Sequence, residues 1–195
     1  DLEKIIKSDE IINLISNEAA IERLIQSAKE HIKIHKVKDI TVIPFTNDSY
    51  PELLKKIPDP PISLYCKGNL NLLKNNNNLA IIGTREPTDT GLKIAEKLAY
   101  RFSEYKFTIV SGLALGIDTA GHLGALRANG STIAVMAGSL DKIYPKENIK
   151  LAEQIVRNNG LLVSEIALGE KTQRSSFVKR DRIQSGLSLG VCPIQ

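Results

Sequence analysis

Cysteine is scarce in this 195-residue chain: Cys66 and Cys192 stand far apart, each without a CxxC companion. That spacing argues against a disulfide framework and against a metal site, and it fits a reducing cytoplasm. The two thiols read as buried or incidental. No apolar run approaches the ~20 residues that cross a bilayer, so no membrane association is expected. The opening Asp1-Leu2-Glu3-Lys4 is charged and lacks the apolar core of a signal peptide. An initiating Met is also lacking, so further N-terminal sequence is expected. No G-x-G-x-x-G follows the first core strand, which disfavours NAD or FAD, and no G-x-x-x-x-G-K-[ST] occurs, which removes a P-loop NTPase. Ser111 lacks the G-x-S-x-G setting of a nucleophile elbow. No cofactor is therefore expected.

What is present is ordinary globular material, 42% hydrophobic and 25% charged. The net charge of +4 is compatible with nucleic acid without arguing for it. Lys171, Arg174, Lys179, Arg180 and Arg182 crowd one stretch opposed by Asp181 alone. On charge by itself that stretch reads as a solvated basic loop.

Three regions follow from the pattern. Residues 1–38 form a small helical region. Ile5, Ile12, Leu14 and Ile15 mark one helix; Ile21, Leu24, Ile25, Ala28 and Ile32 mark a second, with Asn17 near its N-cap. Residues 39–78 are a Pro-rich connector. Thr41-Val42-Ile43-Pro44 is extended, Tyr50-Pro51-Glu52-Leu53-Leu54 opens a helix, and Ile62-Ser63-Leu64-Tyr65-Cys66 is a strand. Ile57-Pro58-Asp59-Pro60-Pro61 is extended because proline restricts itself and its predecessor. Asn75 to Asn78 reads as a surface loop. Residues 79–195 alternate strand and helix. Strands are expected at 79–82, 107–110, 131–136 and 161–163, and helices at 91–102, 119–129 and 148–158, the last two stopped by Gly130 and Gly160. The fold class is α/β: a Rossmann-like, doubly wound, mostly parallel sheet.

In such sheets ligands bind beyond the carboxyl ends of the strands. Gly83-Thr84-Arg85, Ser111-Gly112-Leu113-Ala114-Leu115-Gly116-Ile117-Asp118 and Ala137-Gly138-Ser139-Leu140-Asp141 fall there. A glycine-bearing loop at a helix N-terminus offers backbone N–H groups and a favourable dipole to an anion. Gly83 admits close backbone approach, Arg85 supplies a bidentate cation, and Ser111 and Gly112 supply further donors. Asp118, His122, Asp141 and Glu165 are the acid–base candidates. Asp118 and His122 share a helix face, but a capping Asp and a locally bonded His are the preferred reading.

Together with Ile82-Gly83-Thr84-Arg85 and the 111–118 loop, several further motifs closely resemble the DNA-processing protein DprA/Smf family. They are His122-Leu123-Gly124-Ala125-Leu126, Asp141-Lys142-Ile143-Tyr144-Pro145-Lys146-Glu147-Asn148 and Gly186-Leu187-Ser188. The resemblance covers roughly residues 40–190. It implies a cytoplasmic, non-enzymatic protein with no catalytic residues and no metal. It also implies binding and protection of incoming single-stranded DNA, often as a homodimer, and loading of the RecA recombinase in natural transformation. Carried onto this sequence, the DNA phosphate would meet Gly83, Thr84, Arg85, Ser111, Gly112, Lys179, Arg180 and Arg182, and Phe177, in a loop before Arg180, would stack a base. Asp181 departs from the family's Arg-Asn-Arg and would set a negative charge near the phosphate path. Family members continue beyond Gln195, so a truncated chain or a binding-impaired paralogue is the expectation there. The enzymatic alternative is a LOG-type nucleoside-monophosphate phosphoribohydrolase. Its Pro-Gly-Gly-x-Gly-Thr-x-x-Glu signature is missing where Ala137-Gly138-Ser139-Leu140 stands.

Overall fold

The computed structural model describes residues 17–195. The first expected helix, carrying Ile5, Ile12, Leu14 and Ile15, lies outside the described residues. The chain divides into two units, Asp1–Asp39 and Ile40–Gln195. In the first, helix α1 spans Glu18–Val37. Its N-cap is Asn17, whose side-chain oxygen accepts the Ala20 N–H at 3.2 Å, as its short polar side chain leads one to expect.

The second unit is built on one seven-stranded sheet. Its strands are β1 (Thr41–Pro44), β2 (Ser63–Gly68), β3 (Asn78–Gly83), β4 (Thr108–Ser111), β5 (Thr132–Met136), β6 (Leu161–Ser164) and β7 (Gly190–Ile194). Their spatial order is β1-β2-β6-β5-β4-β3-β7. From β6 across to β7 every pairing is parallel. The two strands of the Pro-rich segment join antiparallel at the β6 side. The helices are α2 (Glu52–Lys55), α3 (Asp89–Glu104), α4 (Ile117–Arg127), α5 (Ile149–Arg157) and α6 (Arg174–Gly186). This is the mixed α/β, mostly parallel, doubly wound sheet expected from the pattern.

Both faces of the central strands are covered, and the alternation of side chains shows how. Ile133 and Val135 of β5, with Val110 of β4 and Ala80 of β3, pack with Leu54 of α2 and Ile183 of α6. Their neighbours point the other way: Ala134 and Met136 meet Leu151 and Ile155 of α5, while Ile81 and Ile109 meet Ala95, Ala99 and Ala120 of α3 and α4. A strand buried on both faces is mostly apolar, and the hydroxyl residues of β4, β5 and β6 (Thr108, Ser111, Thr132 and Ser164) are each hydrogen-bonded inside the protein. Gly124 lets α4 lie against α3, since a Cβ there would strike the Glu96 carbonyl.

Three local expectations are corrected. The basic stretch read as a loop is helix α6. It is started by a capping box in which the Gln173 N–H donates to Ser176 Oγ at 3.2 Å, and Phe177 stands on that helix. Asn78 is not in a surface loop: it is buried, opens β3, and donates from Nδ2 to the Leu187 carbonyl at 2.8 Å. The stops of α4 and α5 are also shifted by one residue. Asn129 (φ 51°) and Asn159 (φ 60°) take the left-handed position, and the glycines behind them are needed for space. A Cβ on Gly130 would come within 2.6 Å of the Ser103 side chain, and one on Gly160 within 2.6 Å of the Ile155 carbonyl.

Candidate functional site

A groove of about 690 Å³ opens beyond the carboxyl ends of β3, β4 and β5. Four segments line it. Arg85 comes from the segment after β3, Gly112, Ala114 and Leu115 from the β4–α4 loop, and Ala137 to Lys146 supply much of the wall after β5. Arg174, Phe177 and Arg180 face it from α6, at spacings that place them on one side of a helix, together with the N-cap Gln173. Its charged side chains are Arg85, Lys142, Lys146, Arg174 and Arg180, against the single carboxylate of Asp141. The field inside is therefore positive.

The β4–α4 loop is bonded to its own surroundings. Ser111 is fully buried and its hydroxyl donates to the Ile81 carbonyl at 2.6 Å. The Gly112 and Ala114 N–H groups donate to Asp118 Oδ2 at 3.0 and 3.3 Å. Asn148 Nδ2 donates to the Leu113 carbonyl at 2.8 Å, and Thr119 Oγ1 to the Ala114 carbonyl at 2.7 Å. Asp118 thus stands where an external anion was expected, in the first turn of α4. Burial raises its pKa, partly offset by the Arg180 charge and by the hydrogen bonds it accepts.

Arg180 closes the floor of the groove. Its side chain is 7% exposed. Nη1 donates to the carbonyls of Gly112 and Val135, both at 2.6 Å, and Nε donates to Asp181 Oδ1 at 3.0 Å. One guanidinium therefore joins the ends of β4 and β5. Gly112 has to be glycine for this reason, because a Cβ would occupy the place of the guanidinium. Asp181 is outside the groove lining; it orients Arg180 and accepts Gln184 Nε2 at 3.0 Å.

The other expected residues are dispersed. Arg85 lies at the rim, its guanidinium carbon 5.4 Å from the centroid of the Phe177 ring. The Thr84 N–H donates to the Gln195 carbonyl at 3.0 Å, and Gly83 makes room for the β7 backbone, since a Cβ there would strike the Ile194 carbonyl. Lys179 is exposed and Arg182 sits away from the groove lining. Arg182 is held by two carboxylates, Nε to Asp59 at 3.1 Å and Nη2 to Glu165 at 2.6 Å. That pairing also accounts for Glu165 as an ion-pair partner. Asp141 accepts the Ser139 hydroxyl at 2.7 Å.

His122 is fully buried, and its Nδ1 meets Thr132 Oγ1 at 2.7 Å. The Thr132 hydroxyl donates to the Ile109 carbonyl, so it accepts from His122 Nδ1–H. Burial, with the Arg180 charge, pushes its pKa down to about 3. Asp118 accepts amides of the loop before α4 and does not cap that helix, whose N-cap is Gly116, and His122 is bonded across to Thr132 of β5, so the capping Asp and locally bonded His of the preferred reading are corrected; no hydrogen bond joins the two side chains.

Lys142, Tyr144 and Lys146 are groove residues to which sequence reasoning gave no role. All three stand in Asp141-Lys142-Ile143-Tyr144-Pro145-Lys146, a stretch with no strand or helix periodicity to mark which side chains turn inward.

The comparisons with known proteins agree with this architecture. The model of DNA recombination-mediator protein A matches residues 41–195. The chain belongs to this family. It is 38% identical over 175 residues to the DNA processing protein DprA of Bacillus subtilis, covering 90% of this chain and 59% of that protein. Against the X-ray structure of Streptococcus pneumoniae DprA the TM-score is 0.76 at 38% identity, over 91% of this chain and 62% of the other. The Helicobacter pylori DprA structure, described by its single-stranded DNA binding mode, gives a TM-score of 0.72 at 35% identity over 80% and 69%. The chain spans about half the length of the curated relatives it matches.

Proposed function

We propose that the groove beyond β3, β4 and β5 holds single-stranded DNA, and that the chain serves recombination by protecting the strand and passing it to a RecA recombinase. The observation that carries this reading is the pairing of five cations with an exposed aromatic edge. Arg85, Lys142, Lys146, Arg174 and Arg180 border one open groove, with Tyr144 and Phe177 on its wall. Cations along a path neutralise a phosphodiester chain without reading its sequence, and aromatic rings accept unpaired bases of any kind. A double helix offers no unstacked base to such rings, which favours a single strand. Arg85 and Arg180 are the phosphate-facing residues in this reading. Ser111 and Gly112 support the floor, and Gly83 and Thr84 position Arg85. The RecA hand-over and a homodimer rest on membership of the family and on the resemblance described above.

The test is fluorescence anisotropy of labelled oligo-dT across a salt series, with Arg85→Ala beside the unaltered chain. The logarithm of affinity is expected to fall linearly with the logarithm of salt, with Arg85→Ala weaker and its slope shallower by about one. Absence of binding at low salt, or release of free base from a nucleoside monophosphate, would sink the reading.

A further inference from the structure

Asn-Gly occurs twice in the chain, at Asn129-Gly130 and Asn159-Gly160. In water this pair carries a reaction of its own. The glycine nitrogen, unshielded by a side chain, loses its proton and attacks the asparagine Cγ. A five-membered succinimide closes, and Nδ2 leaves as ammonia. Water then opens the ring at one of its two carbonyls, giving aspartate or isoaspartate with no oxidant and no cofactor. The fold governs the rate, because the glycine nitrogen has to be released from its hydrogen bond and the peptide has to turn toward the asparagine side chain.

Both pairs stand at the same place in their helices. Asn129 and Asn159 take the left-handed position after α4 and α5, and both are exposed. The Gly130 N–H donates to the Ala125 carbonyl at 2.9 Å, and the Gly160 N–H to the Ile155 carbonyl at 2.8 Å. Each nucleophile is withheld by the last bond of its helix, so each reacts through local opening.

What differs is the rest of the hold. Gly160 is buried, and its carbonyl accepts the Asn69 N–H at 3.0 Å. Asn69 Nδ2 also donates to the Asn159 carbonyl at 3.4 Å. The end of β2 lies so close that a Cβ on Gly68 would strike the Gly160 carbonyl. Gly130 is half-buried, and among the described residues the bond to Ala125 is the one hydrogen bond it makes. Opening Asn159-Gly160 therefore breaks contacts with a second segment, whereas opening Asn129-Gly130 frees one helix end.

We propose that Asn129 is a site of spontaneous covalent modification in the folded chain, converting to aspartate and isoaspartate with loss of ammonia, and that the same chemistry is suppressed at Asn159. The product sets a carboxylate at the C-terminal end of α4, where the helix dipole disfavours it, and isoaspartate adds a main-chain carbon beside Gly130. This end of α4 lies on the opposite side of the sheet from the groove, so the site is independent of the single-stranded DNA reading.

The experiment incubates the full chain in mildly alkaline buffer at physiological temperature, folded and in urea, and follows both sites by peptide mass spectrometry. Arg127 and Arg157 place the two asparagines in separate tryptic peptides, and fragmentation assigns the converted residue. In the folded chain Asn129 should convert at least about tenfold faster than Asn159, the difference set by the additional hydrogen bonds that hold the second pair. In urea the two should convert at comparable rates. Asn129→Gly, which suits the left-handed position, should remove the acidic species that accumulates in the folded chain while leaving the urea midpoint in place. Equal rates in the folded chain, faster conversion at Asn159, or no conversion at Asn129 while the unfolded chain converts fully would each overturn the proposal. Persistence of the acidic species in Asn129→Gly would do the same.

Discussion

Two neighbouring regions of the groove use their polar groups in opposite ways. In the β4–α4 loop the Ser111 hydroxyl, the Gly112 and Ala114 amides and the Leu113 carbonyl all bond to partners within the protein. At the rim, Lys142, Lys146 and Arg174 face the groove with exposed side chains, and Tyr144 is largely bare. The loop is a finished object, and the rim is an unfinished one. Glycines beside a helix N-terminus can mark a place where a ligand's phosphate comes close, or a place where another part of the protein does. Here Asp118 takes the loop amides that a ligand's phosphate would otherwise use.

Substitutions that separate floor from rim break or sharpen this contrast. The largest effect is expected from Gly112→Ala. Its Cβ would displace the Arg180 guanidinium, which cannot move without leaving two buried carbonyls unpaired. A loss of about 3 kcal/mol or more in urea unfolding is expected. A loss below about 1 kcal/mol would show that the floor is softer than its hydrogen bonds imply.

The next effect is a pH dependence centred on His122. Its pKa is pushed down to about 3 in the folded chain, while the unfolded chain takes up a proton near the ordinary value of about 6.5. The stability tied to the neutral imidazole is thus complete above about pH 6.5 and is lost as pH falls toward about 3. The slope is roughly 1.4 kcal/mol per pH unit. Between pH 7 and pH 5 the unaltered chain should lose about 2 kcal/mol more than His122→Gln. Parallel stability curves for the two proteins would refute the assignment.

The smallest effect on folding belongs to the rim. Lys142→Ala and Lys146→Ala should each change stability by less than about 0.5 kcal/mol, because both side chains are exposed. Each should nonetheless weaken oligo-dT binding at low salt and reduce the salt slope by about one. If they destabilise the chain as Gly112→Ala does, the division between floor and rim is wrong.

The same division explains how much could be read from the sequence. Strands β3 to β6 were legible because burial on both faces favours apolar residues at most positions, as at 79–82 and 133–136. The floor's location was legible too, since Gly112 and Asp118 sit in a pattern of small residues after a buried strand. What each floor residue does was hidden, because the partners of Gly112 and Ser111 lie 68 and 30 residues away. Helix α6 was obscured for a different reason. Arg174, Lys179 and Asp181 stand on its exposed side, and its buried positions include Ser176, Arg180 and Gln184 beside Ile183, so no apolar period marks it. The rim was obscured most, because Lys142, Tyr144 and Lys146 follow no repeating pattern and are brought together by the path of a loop.

Helix α6 carries Arg174 and Phe177 at the groove wall and Arg180 at its floor, all within about 9 Å of helical rise. It also carries Arg182, locked between Asp59 of the Pro-rich segment and Glu165 at the end of β6. A hydrogen-bonded helix keeps the Cα positions of these residues at fixed spacing. Its groove-facing groups are therefore geared to one another and to the 57–61 segment. A shift of the helix would therefore carry the Cα positions of Arg174, Phe177 and Arg180 together.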